Sequence, residues 1–152
     1  MMKDLFAPVT RDERQEESMR KWLQSKGRGT IIACTGYGKT KVAIDCFKKV
    51  LTKYPHIKAL VVVPTDTLKE QWSKILDLQG LSLNSEVQVI NTTAKNGYEC
   101  DLLILDEIHR CPADTFSQVF TKVKYKLILG LTATLERLDG KHSIVEKYCP
   151  PV

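Results

Sequence analysis

Residues 33–40 read ACTGYGKT. A phosphate-binding loop has the strict form G-x-x-x-x-G-K-[ST], and this stretch keeps its last three positions as Gly38, Lys39 and Thr40. Ala33 stands where the pattern has its first glycine, at the end of the apolar run TIIAC (30–34), where a small residue suffices. The stretch leads into a segment of helical period that starts near Lys39. A loop between a strand end and a helix start aims several backbone N–H groups at one point, and the helix N-terminus adds positive potential there. Gly36 and Gly38 let backbone approach a ligand more closely than a Cβ allows. With Thr35 and Tyr37 between and beside them, they form a candidate phosphate cradle. Lys39 is then a point charge for the β- and γ-phosphates, and the Thr40 hydroxyl a ligand for Mg²⁺. The competing reading is a glycine-rich turn that caps an ordinary helix.

Outward from this loop, short apolar runs alternate with helical segments. The runs are KALVVVP (58–64), EVQVI (86–90), DLLILD (101–106) and YKLILGL (125–131). Continuous stretches of Val, Ile and Leu suit strands covered on both faces, as in a parallel sheet. Between them, one helix face gathers Met19, Trp22 and Leu23. A second gathers Val42, Ala43, Cys46, Phe47 and Val50, and a third Leu68, Trp72, Ile75 and Leu76. A shorter helical segment begins near Pro112, where a missing N–H costs least. The alternation predicts an α/β fold over residues 1–152, with a mostly parallel central sheet and helices on both faces. Residues 79–85 and 91–99 read as loops, the second through the turn signal Asn96–Gly97. Pro150 and Pro151 read as the start of a linker.

A net charge of +5 is compatible with a polyanionic partner but does not identify one. The five cysteines are widely spaced and form no C-x-x-C pair, which argues against a zinc site or a disulfide framework and favours a reducing compartment. The opening MMKDLFAPVT has no apolar core for a signal peptide, and no run approaches a membrane span. The expected location is cytoplasmic, away from membranes.

A second candidate cluster lies in DLLILDEIHR (101–110). Asp106 and Glu107 follow a strongly apolar strand, and in an open parallel sheet ligands bind at the carboxyl ends of strands. Asp106 is placed to hold Mg²⁺, Glu107 to orient or deprotonate an attacking water, and His109 to contact the γ-phosphate region. Adjacent acids at such a point also serve as a solvated helix start or N-cap, and that reading stays open.

Four stretches, taken in order, carry a resemblance. ACTGYGKT, VVVPTDTLKEQW, LDEIHR and LGLTATLERLDG resemble motifs I, Ia, II and III of superfamily 2 DExH-type DNA helicases and translocases. The match runs from about Gln15 to Gly140, and the form of motifs II and III is most similar to DNA repair and phage recombination helicases. The resemblance implies a RecA-like P-loop domain, the first of two in the motor, that binds ATP and Mg²⁺. It implies that Gly36, Gly38, Lys39 and Thr40 surround the phosphates, and that Thr132 and Thr134 couple nucleotide state to the rest of the motor. Gln15 is the candidate adenine-reading glutamine, although Asp12 stands where the family has arginine. Leu135 replaces the proline usual after T-A-T.

In such proteins motif Ia contacts the backbone of one nucleic-acid strand. Pro64 and Thr65, at a strand end entering a helix, are the candidates here, with Thr92 and Thr93 as a second contact. Trp72 is better read as a core residue than as a stacking platform, because Leu68 and Ile75 share its helix face. The chain ends shortly after motif III, so a second RecA-like domain is expected to be absent. The resemblance then implies weak ATP binding and no unwinding by the chain alone. Two alternatives remain: a nucleic-acid or protein-binding module with a vestigial ATP site, and a half-motor completed by a partner protein.

Overall fold

The computed structural model describes residues 11–32, 39–107 and 113–132. In chain order the elements are α1 (Arg11–Gln24), β1 (Arg28–Ile32), α2 (Lys39–Lys53), β2 (Ala59–Val63), α3 (Asp66–Leu78), a 3₁₀ turn (Ser82–Asn84), β3 (Ser85–Val89), α4 (Ile90–Asn96), β4 (Tyr98–Glu99), β5 (Leu102–Leu105), α5 (Ala113–Lys122), β6 (Val123–Lys124) and β7 (Leu127–Thr132). The five longer strands form one sheet in the order β1-β7-β5-β2-β3. Every neighbouring pair in it is parallel. The short β4 and β6 pair separately.

Side-chain parity explains how the strands are covered. Val61, Val63, Leu102, Ile104, Leu129 and Leu131 face one core, shared with Trp22 of α1, Val42 and Phe47 of α2 and Trp72 of α3. Leu60, Val62, Leu103, Leu105 and Ile128 face the other, shared with Ile90 and Ala94 of α4 and Phe116 and Val119 of α5. All residues of β2 and of β5 are buried, as continuous apolar runs in a two-sided sheet require. The chain crosses the sheet from β1 to β2 to β3 with its helices on the first face. It returns from β3 to β5 to β7 with its helices on the second. Right-handed crossovers demand this change of face when direction reverses.

The segment 90–96 corrects an expectation. It is a helix rather than a loop, and Asn96–Gly97 ends it, with Gly97 at φ 73° in the C-cap position. Its sequence INTTAKN has little intrinsic helix preference. Burial of Ile90, Thr93 and Ala94, at helical spacing on one side, supplies the drive. A Cβ at Gly97 would lie 2.7 Å from the Lys122 backbone oxygen, so glycine is required there twice over.

Candidate functional site

A parallel sheet gathers the exits of all its strands on one rim. Ile32, the last residue of β1, is in register with Thr132 of β7, and Gly130 of β7 is in register with Leu105 of β5. The exits of β1 and β5 therefore flank Thr132, separated by two strand spacings, about 10 Å. Beyond β1 the helix α2 begins at Lys39, and its first turn carries no acid. Its N-terminal potential is therefore uncompensated within that turn. Thr40 is half-buried on the same turn. Residues 33–38, which hold Thr35, Gly36, Tyr37 and Gly38, lie outside the described residues, as do His109 and Thr134. Gln15 falls within α1.

Asp106 follows β5 with its backbone N–H still bonded to the Val62 carbonyl (3.0 Å). Its position relative to Ile104 sends the side chain to the face of α2 and α3. There it is 3% exposed, and its Oδ2 accepts a hydrogen bond from the indole N–H of Trp72 at 2.8 Å. Glu107 then takes φ 55°, the left-handed region, where a residue bearing a Cβ carries about 1–2 kcal/mol of strain. This left-handed turn lies directly beside the buried carboxylate at the strand exit. The helices after β2 and β5, which are neighbours in the sheet, leave to opposite faces. That reversal opens the crevice in which doubly wound sheets bind ligands.

Magnesium suits this donor set. The Asp106 carboxylate and the Thr40 hydroxyl are hard oxygens, and among the described residues no group of three or more His, Cys, Asp or Glu side chains could hold a metal unaided. A cation held by one or two protein oxygens together with phosphate oxygens is the mode typical of Mg²⁺. Cys46 and Cys100 are no part of such a site. Both are buried, and burial first, then the neighbouring carboxylates Asp45 and Asp101, pushes each thiol up to about 12, so both stay neutral and inert at ordinary pH.

The nucleic-acid candidates divide. Thr65 is the N-cap of α3, its Oγ1 accepting from the Leu68 N–H at 3.2 Å, on the rim that also carries Pro64. Thr92 is exposed and borders an open groove of about 480 Å³ with Lys69, Ser73, Glu86 and Gln88. Thr93 is a correction. It is fully buried on the inner side of α4, and its hydroxyl donates to Gln88 Oε1 at 2.7 Å, so it has no face for a ligand. The EVQVI run was expected to end in a loop; a helix there instead turns Thr93 inward. Trp72 is a core residue, 1% exposed, and the stacking alternative falls with that burial. Its bond to Asp106 was missed by sequence reasoning. The signal available was parity: Asp106 shares a sheet face with Ile104, and Trp72 is on the buried side of the helix covering that face.

Comparison with known proteins agrees with this architecture. The family described as Type III restriction enzyme, res subunit, matches residues 9–97 and 78–137. The DNA 3'-5' translocase XPB2 of Sulfurisphaera tokodaii is 32% identical over 91% of this chain and 34% of its own length. The putative ATP-dependent RNA helicase QP509L of African swine fever virus is 31% identical over 83% of this chain and 28% of its own length. The chain thus spans about a third or less of these curated relatives. Among solved structures, the UvsW helicase from bacteriophage T4 superposes with a TM-score of 0.74 at 18% identity, covering 91% of this chain and 58% of that one. The SWI2/SNF2 ATPase core of Sulfolobus solfataricus in complex with dsDNA gives 0.69 at 18% identity over 95% of this chain and 36% of that one. On the strength of the family match and of this sheet, the chain belongs to the Type III restriction enzyme, res subunit, family and is a RecA-like domain of the superfamily 2 helicase type.

Proposed function

We propose that this chain is the ATP- and Mg²⁺-binding half of a DNA helicase or translocase that couples hydrolysis to movement on, or unwinding of, DNA. The observation that carries the proposal is the shared rim. The exit of β1, the start of α2 at Lys39, Thr132 and the buried Asp106 all belong to one edge of an all-parallel sheet. The curated relatives named for translocase and helicase activity support the same reading.

In this proposal Gly36 and Gly38, with Thr35 and Tyr37, present backbone N–H groups to the phosphates. Lys39 neutralises charge on the β- and γ-phosphates, and Gln15 reads the adenine. Thr40 and Asp106 would hold Mg²⁺, which when bound offsets the charge that develops between the β- and γ-phosphoryl oxygens. Glu107 orients the attacking water and takes its proton, with His109 beside the γ-phosphate region. Thr132 and Thr134 relay nucleotide state. Pro64, Thr65 and Thr92 contact the nucleic-acid backbone without reading bases.

A second RecA-like domain, in cis or in trans, closes the site from the other side. In the helicases that this chain resembles, that domain brings arginines to the γ-phosphate, a contact worth about 10³–10⁵ in turnover; residues 1–152 alone are accordingly expected to hydrolyse ATP very slowly, and also to bind it weakly and not to unwind DNA. A role in DNA repair or recombination and a cytoplasmic location belong to the same proposal. Among the described residues no helix is long and apolar enough to cross a membrane.

The test is a nucleotide titration of the wild type against Lys39→Ala, by calorimetry in Mg²⁺ buffer. Saturable binding lost in the variant is expected. Binding absent from both, or indifferent to Lys39, would favour a nucleic-acid or protein-binding module with a vestigial site. Competition between DNA and RNA of one sequence then separates the two polymers.

A further inference from the structure

Trp72 does more than fill the core. A buried indole N–H needs an acceptor. Here the acceptor is a side-chain oxygen, Asp106 Oδ2 at 2.8 Å, 34 residues away on another element. The second tryptophan shows the ordinary alternative. Trp22, equally buried, donates to the backbone carbonyl of Ile128 at 2.9 Å, near the start of β7 and away from the strand exits.

An indole suits the Asp106 position for a chemical reason. It only donates, it does not ionise, and it offers no lone pair that would compete for a cation. Its hydrogen bond therefore fixes one oxygen in direction without competing with it for a metal. The ring is locked by its own packing among Leu76 and the other core side chains on that face.

We propose that Trp72 is a positioning residue of the hydrolytic site: its indole N–H holds the Asp106 carboxylate in the orientation that receives the Mg²⁺ of Mg·ATP. This rests on the reading of Asp106 as a metal-holding residue. Groups that orient metal ligands in this way typically contribute about 10–100-fold to metal affinity.

The experiment has two arms. In the first, ¹⁵N-labelled wild type is titrated with ATP, with and without Mg²⁺, while the two indole N–H resonances are followed; Trp22→Phe assigns them. The Trp72 resonance is expected to shift only when ATP and Mg²⁺ are both present, and the Trp22 resonance to stay in place. In the second, Trp72→Phe keeps a buried ring and removes the donor. The Mg²⁺ concentration needed for half-maximal ATP binding is expected to rise about 10–100-fold, while ATP affinity in EDTA changes less than twofold.

Unchanged Mg²⁺ dependence in a folded Trp72→Phe overturns the proposal. So does an equal loss of affinity with and without Mg²⁺, which marks a merely structural role. If the variant does not fold, the wild-type resonance decides: a Trp72 signal unmoved by Mg·ATP overturns the proposal. Wild type lacking Lys39-dependent binding overturns the nucleotide-site reading and this proposal together, whereas the preceding outcomes remove this proposal alone.

Discussion

Asp101 leads into β5 and Asp106 follows it, with Leu102–Leu105 between them. Asp101 is half-buried, and each of its polar groups serves the scaffold. Its Oδ2 accepts from the Lys58 N–H at 2.9 Å, its N–H donates to the Lys58 carbonyl, and its carbonyl accepts from the Leu127 N–H at 2.9 Å. The start of β5 is thereby stitched to the starts of β2 and β7. The ion pair to Lys126 (3.5 Å) adds little, because the lysine is 81% exposed. Asp106, at the other end, is buried, held by an indole from a covering helix and followed by a strained glutamate. One residue type, at the two ends of one strand, thus stitches strands together at the amino end and is buried beneath a covering helix at the carboxyl end, where the proposed chemistry lies. In parallel α/β sheets the rim decides which role a residue takes.

The largest effect that can break this contrast is expected from Asp106→Asn. The amide still accepts from Trp72 but lacks the charge for a cation, so Mg²⁺ should no longer enhance ATP binding in calorimetry. Unchanged Mg²⁺ enhancement in the folded variant would make Asp106 a scaffold residue like Asp101. The converse, Asp101→Ala, should cost about 1 kcal/mol in urea denaturation by the lost bond to the Lys58 N–H and leave ATP binding untouched. The smallest effect is expected from Glu107→Gly. Relief of the left-handed strain should raise stability by up to about 1 kcal/mol in the same assay, and no gain would mean that this turn stores nothing.

Most of the sheet was legible as runs of Val, Ile and Leu, because strands covered on both faces need no alternation. Helix α3 (Asp66–Leu78) was legible from the spacing of Leu68, Trp72, Ile75 and Leu76. Helix α4 was not legible, since tertiary burial of Ile90, Thr93 and Ala94 outweighs the weak local preference of INTTAKN. The same oversight placed Thr93 beside Thr92 as a surface contact. A loop exposes adjacent residues alike, but a helix turns them about 100° apart. The order of the four motifs was legible; the hydrogen bond between Trp72 and Asp106 was not. A one-dimensional pattern marks which face of a helix is buried, but not which polar atom waits beneath it.

Helix α3 joins two of these places. Thr65 caps it and Trp72 lies seven residues on, two turns or about 10 Å along a continuous hydrogen-bonded rod. No loop interrupts it, so the outer cap and the indole that bonds the Asp106 carboxylate belong to one rigid piece.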